Sequence, residues 1–165
     1  MVVDVTECAI QTPNIFVQRV FYSGKSKQHS LKYEVGVELS RGTFVWFYGG
    51  CPGSYNDLTI LRQSSLLDRL EPGEFLLGDK IYVGEPQVLT AFKAPQTEME
   101  RTINSVFYRH RIIVENSFAR IKTFNFTHNE WRHDLKLHSL AFKVLLNVLN
   151  IDFETRPIRK NKRKL

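Results

Sequence analysis

The chain of 165 residues has two cysteines, Cys8 and Cys51, and no CxxC pair. It therefore has no cysteine cluster for a zinc ribbon and no disulfide framework, and both thiols are expected to be reduced and buried in an intracellular protein. His110, His128, His133 and His138 have no cysteine partners at metal-ligand spacing, so no zinc site is expected. No apolar run is long enough to span a bilayer. The opening residues MVVDVTECAIQ lack a basic segment, so no secretory leader is expected. There is no glycine-rich phosphate loop, no internal repeat and no heptad seam. What remains is the composition of an ordinary soluble domain, 42% hydrophobic and 24% charged, and long enough for one core.

The net charge of +6 is unevenly placed. Residues 156–165 (RPIRKNKRKL) hold six of the 23 Lys and Arg and no acid, and without them bases and acids balance at 17 each. The body is formally neutral and the basicity is a tail. Arg159, Lys160, Lys162, Arg163 and Lys164 are expected to form a disordered end suited to nuclear import or loose phosphate contact, or only a solubilising end. The expected division is a folded domain over 1–155 and this tail over 156–165.

Hydrophobic patterning predicts the elements in order. Val2 to Gln11 is a first strand, with Asp4 inside it. An acid in a strand expected to be buried is costly unless it is paired or metal-bound. A polar loop over 14–28 carries Lys25 and Lys27. His29 to Leu39 and Thr43 to Gly49 alternate as two further strands around the turn Ser40-Arg41-Gly42, completing an antiparallel meander. Gly50 to Ser54 is expected to break the sheet. A helix capped by Ser54 or Asn56 should then run to Glu71, with Asp57 in its first turn. Glu74 to Leu77 is a short strand, parallel to its neighbour, ending at Asp79, where ligands bind in open α/β sheets. Residues 84–97 read as loop, Glu98 to Lys122 as a long helix, 124–132 as irregular, and Asp134 to Ile151 as a second amphipathic helix. Trp46 and Trp131 are expected in the core.

The long helix carries YRHRIIVENSFARIK over 108–122. Its apolar residues call for a core-packed helix, and Arg111, Glu115 and Lys122 share one stripe. Arg111 and Glu115 could be an ordinary i,i+4 surface pair. They could also be a metal-site carboxylate beside a phosphate-facing cation.

The order β-β-β-α-β-α-α, with acids on strand one, strand four and a late helix, is the layout of a ribonuclease-H-like α/β fold: a mixed sheet with an antiparallel meander and a parallel strand, flanked by helices. In that fold strands one and four are neighbours. The segments FYSGKSKQHSLKYEVGVEL, GCPGSYNDLTILRQSSLLDRL, LLGDKIYVG, YRHRIIVENSFARIK and WRHDLKLHSLAFKVLLNVLN, in this order, resemble the DDE endonuclease domain of PIF/Harbinger-type transposases and their domesticated relatives. The Tyr108, Arg111, Glu115, Lys122 spacing is also that of related bacterial insertion-sequence transposases. Thirty-five residues separate Asp79 from Glu115, a spacing typical of such enzymes.

The resemblance implies a metal-dependent DNA endonuclease with Asp4, Asp79 and Glu115 as catalytic carboxylates. They would hold Mg²⁺ or Mn²⁺, as a pair of ions. Asp57 matches the family's acid after the Gly-Ser turn and is either a fourth metal carboxylate or a charge at a helix N-terminus. Arg111 and Lys122 are expected to contact phosphate or orient Glu115, or else to form structural salt bridges. Lys25, Lys27 and Lys80 are expected backbone contacts on DNA. A separate Myb-like partner is implied for sequence-specific DNA binding, and the expected location is the nucleus. Ile81 stands where the family has glycine, so the loop after Asp79 should be reshaped. The chain begins three residues before Asp4, without the family's helix-turn-helix region, which suggests a shortened copy. A catalytically inactive, domesticated remnant that binds DNA or protein is the alternative reading.

Overall fold

A computed structural model describes residues 1–14 and 17–158. The expected basic-tail residues from Arg159 onward lie outside that range. Strand β1 (Val2–Ala9) is the axis of a six-stranded mixed sheet. It pairs antiparallel with β3 (Gln28–Val37), which pairs antiparallel with β4 (Phe44–Pro52) and, at its start, with the short β2 (Tyr22–Ser23). On its other edge β1 runs parallel to β5 (Leu76–Leu77), and β5 runs parallel to β6 (Val88–Leu89). Helices α1 (Asp57–Gln63), α2 (Glu98–Lys122), α3 (Asn125–His128) and α4 (Leu135–Thr155) complete a ribonuclease-H-like architecture.

Strand alternation divides the core between the two sheet faces. Leu31, Tyr33, Val35 and Val37 of β3 face α2 and α4, where Ile113, Val114, Ile121, Phe142 and Leu146 meet them. Val3 and Leu76 face the other way, onto Leu61, Leu66, Tyr82 and Val88. Both cysteines are free and buried. Trp46 and Trp131 are half-buried and pack against these clusters.

Several elements differ from the sequence expectation. The sheet does not break at Gly50. Strand β4 continues to Pro52, because a register shift opposite Lys32 and Tyr33 absorbs one residue and Gly50 takes φ +80° there. Only glycine enters that region without strain. The helix expected to reach Glu71 stops at Gln63. Asn56, not Ser54, caps its start by accepting from Thr59 N, and Ser64 Oγ caps its end by donating to Leu61 O. Ser65 then takes φ +58°, which diverts the chain. The 84–97 loop contains β6, and the 124–132 stretch contains α3. Helix α2 opens with the capping box of Thr97 and Glu100. It is only partly packed in the core: Ile113, Val114 and Ile121 are buried, whereas Tyr108 and Ile112 are exposed.

Candidate active site

The site is set by the β1–β5 pairing. Val2 stands opposite Leu77 in parallel register, so Asp4 and Asp79, each two residues further on, come to neighbouring positions. Helix α2 passes over this edge and supplies Arg111 and Glu115. Asp4, Asp79, Lys80, Tyr108, Arg111 and Glu115 line one cavity of about 210 Å³. Asp79 also accepts from Lys80 N at 2.7 Å, capping a short turn over Lys80–Tyr82. Ile81 within that turn is exposed and takes negative φ, so the turn forms with a β-branched residue in that position.

The acids are not equivalent. Asp4 accepts from Val5 N at 2.8 Å. Burial raises its pKa from 3.8 to about 6, the hydrogen bond from Val5 opposes the rise, and the nearby charges of Asp57 and Asp79 add to it. Asp79 and Glu115 have largely exposed side chains and share a cation. Arg111 Nε donates to Glu115 Oε1 at 2.9 Å, and Arg111 Nη1 lies 3.7 Å from Asp79 Oδ1. The Glu115 bond and the Asp79 charge hold the Arg111 pKa above its usual value.

The other candidates do not line the cavity. Lys25 adds a favourable charge near Asp4, and Lys27 sits exposed in the same turn. Asp57 is buried at the start of α1, where Lys32 Nζ donates to its Oδ1 at 3.1 Å and to Tyr55 O at 2.7 Å. Lys122 is turned away from the cavity. Its Nζ donates to Glu7 O and, at 2.9 Å, to Thr127 O, and lies 3.7 Å from Cys8 Sγ. Helical spacing from Glu115 could not show this, since the acceptors are backbone carbonyls on β1 and α3. Ala91, Phe107 and His110 are among the cavity residues that sequence reasoning does not mark as site residues. Ala91 follows β6, a strand with too few residues to show alternation. His110 and Phe107 lie in α2 next to the motif positions and carry no spacing signal of their own.

The family model described as DDE superfamily endonuclease matches residues 3–150. The chain belongs to this DDE family. Among curated relatives, the DDE domain is 30% identical over 124 residues to human HARBI1, which is named a candidate nuclease; the match covers 73% of this chain and 35% of HARBI1. It is 25% identical over 160 residues to the candidate transposase of insertion sequence element IS702 from Microchaete diplosiphon, covering 92% of this chain and 56% of that protein. The chain thus spans between about a third and somewhat over half of these relatives. No solved structure matches it.

Members of the DDE superfamily generally use divalent metals. The donor chemistry of the cavity suits a hard cation, because three carboxylates line it and one of them, Asp4, is half-buried. Their spacing is that of an arginine-bridged pair rather than a closed ligand set. Among the described residues, no three His, Cys, Asp or Glu side chains lie close enough to share one ion. No helix of the described residues is long and apolar enough to cross a membrane.

Proposed function

We propose that the chain is the nuclease domain of a Harbinger-type DDE enzyme and hydrolyses DNA phosphodiester bonds. The observation that carries this reading is the meeting of Asp4, Asp79 and Glu115 at one cavity, from two neighbouring strands and the helix across them. These carboxylates would hold Mg²⁺ or Mn²⁺, which supplies Lewis-acid activation of the attacking and leaving oxygens. The chain's own cations have a separate task. Lys80 and Arg111 line the cavity and are exposed enough to meet a phosphate oxygen, with Lys25 near Asp4. Lys27, exposed in the same turn as Lys25, would extend the contact along the DNA backbone. Lys122 belongs to the scaffold beneath. Target choice would come from a separate Myb-like protein, and the site of action would be the nucleus, with the basic residues beyond 158 as the import signal.

The test is nicking of supercoiled plasmid in Mg²⁺ or Mn²⁺ by the wild type, Glu115→Gln and Asp79→Asn. Nicking by the wild type alone supports the reading, and equal behaviour of all three overturns it. One observation favours the second reading, a non-catalytic DNA-binding remnant: Arg111 already pairs with both Asp79 and Glu115. That reading predicts plasmid binding without nicking, and binding that is unchanged by metal.

A further inference from the structure

Helix α4 buries Phe142, Leu145, Leu149 and Phe153 against the rest of the molecule. Its opposite face is also apolar. Leu137, Leu140, Val144, Val148 and Ile151 are 49–67% exposed. On a regular helix these five fall in one band about 80° wide and about 21 Å long. A stripe of this size on a surface helix marks an association site.

The stripe is symmetric in sequence about Val144. Leu140 and Val148 lie four residues to either side, and Leu137 and Ile151 seven. A two-fold axis through Val144, with two copies antiparallel, sets Val144 on Val144, Leu140 on Val148 and Leu137 on Ile151. The Val144 contact then lies on the axis and each of the other two occurs twice, as an isologous interface requires. The flanking charges choose the direction. Lys136 and Glu154 are exposed on the same flank of the stripe, near its two ends, and neither forms an ion pair among the described residues. Antiparallel copies put Lys136 beside Glu154 at both ends. Parallel copies would set the two flanks on opposite sides of the interface, where Lys136 and Glu154 of different copies do not meet. Antiparallel pairing also brings the exposed Lys143 of this flank towards its counterpart in the other copy.

We propose that α4 is the interface of a homodimer in which two copies of this chain pair antiparallel across Val144. The inference stands on α4 alone and does not require nuclease activity. A single helix pair is at the small end of stable interfaces, so the dimer should form with concentration.

Sedimentation equilibrium of the full chain over the micromolar range should show the mass rising from one chain to two. Val144→Glu should stay at one chain with unchanged far-ultraviolet circular dichroism. Lys136→Glu should weaken the dimer by about fivefold, the effect of losing two exposed pairs, and adding Glu154→Lys should restore it. Cysteine variants test the register even if Val144→Glu folds poorly. Under mild oxidation Val144→Cys should cross-link to itself, whereas Leu137→Cys should cross-link only when mixed with Ile151→Cys. A single-chain mass up to the solubility limit overturns the proposal. So does a dimer that survives Val144→Glu, or self-cross-linking of Leu137→Cys.

Discussion

Arg111 Nε donates to Glu115 Oε1 at 2.9 Å, and the same guanidinium reaches within 3.7 Å of Asp79 Oδ1. One cation thus occupies the space between two carboxylates with 35 residues between them in the sequence. Both pairs are well exposed, so their worth to folding is small. Arg111→Ala should change stability by less than about 1 kcal/mol. It should tighten Mn²⁺ binding, read by calorimetry, by up to about tenfold, because a competing positive charge is gone. Weaker Mn²⁺ binding would mean instead that Arg111 holds Glu115 in place for the ion.

Asp57 and Lys32 form a buried pair. Removing one partner leaves the other charge buried and unpaired, a loss of about 3–5 kcal/mol. Asp57→Ala should therefore lower the urea midpoint strongly and leave Mn²⁺ affinity unchanged. A loss of Mn²⁺ binding by a variant that is still folded would make Asp57 a ligand after all.

Lys122 secures the end of α2 to β1 and α3 through two carbonyl acceptors. Lys122→Met should cost about 1–3 kcal/mol, since it strips charged donors from partly buried carbonyls. The salt dependence of DNA binding should not change. Lys80→Ala should do the opposite, leaving stability intact and reducing the salt slope by about one phosphate contact.

Asp4 titrates with a pKa raised by burial from 3.8 to about 6. The folded state therefore holds this proton more tightly than the unfolded chain does. The contribution to stability is complete below pH 4 and is lost as pH rises to about 6. In chelator, Asp4→Asn should be more stable than the wild type at pH 7, by up to about 3 kcal/mol, with the difference vanishing near pH 4. Equal denaturation curves at both pH values would show that Asp4 is solvated in the folded protein.

Much of this molecule is legible in one dimension. Alternation marks β1, β3 and the first part of β4, because a period of two survives in the residue types, even along β3, which is buried on both faces. The capping box and apolar spacing mark α2, and Asp134 marks the start of α4 by accepting from Leu137 N. Strands β5 and β6 have two residues each and are made by pairing with β1 and with each other. Such pairing carries no local pattern, so residue types mark neither β6 nor the start of β5. The end of α1 depended on the Ser64 hydroxyl and on Ser65 at positive φ, which neighbouring propensities do not reveal.

The sequence by itself determined the set of carboxylates and cations and the elements that carry them, because those follow from residue type and period. Only the tertiary structure decided their partners. The parallel β1–β5 register sets Asp79 beside Asp4, and the crossing of α2 adds Arg111 and Glu115. The burial of Lys32 withdraws Asp57 from the cavity, and the carbonyls of Glu7 and Thr127 claim Lys122. A charged side chain takes the partner that relieves its desolvation, and for Asp57 and Lys122 that partner lies across the fold rather than along the helix.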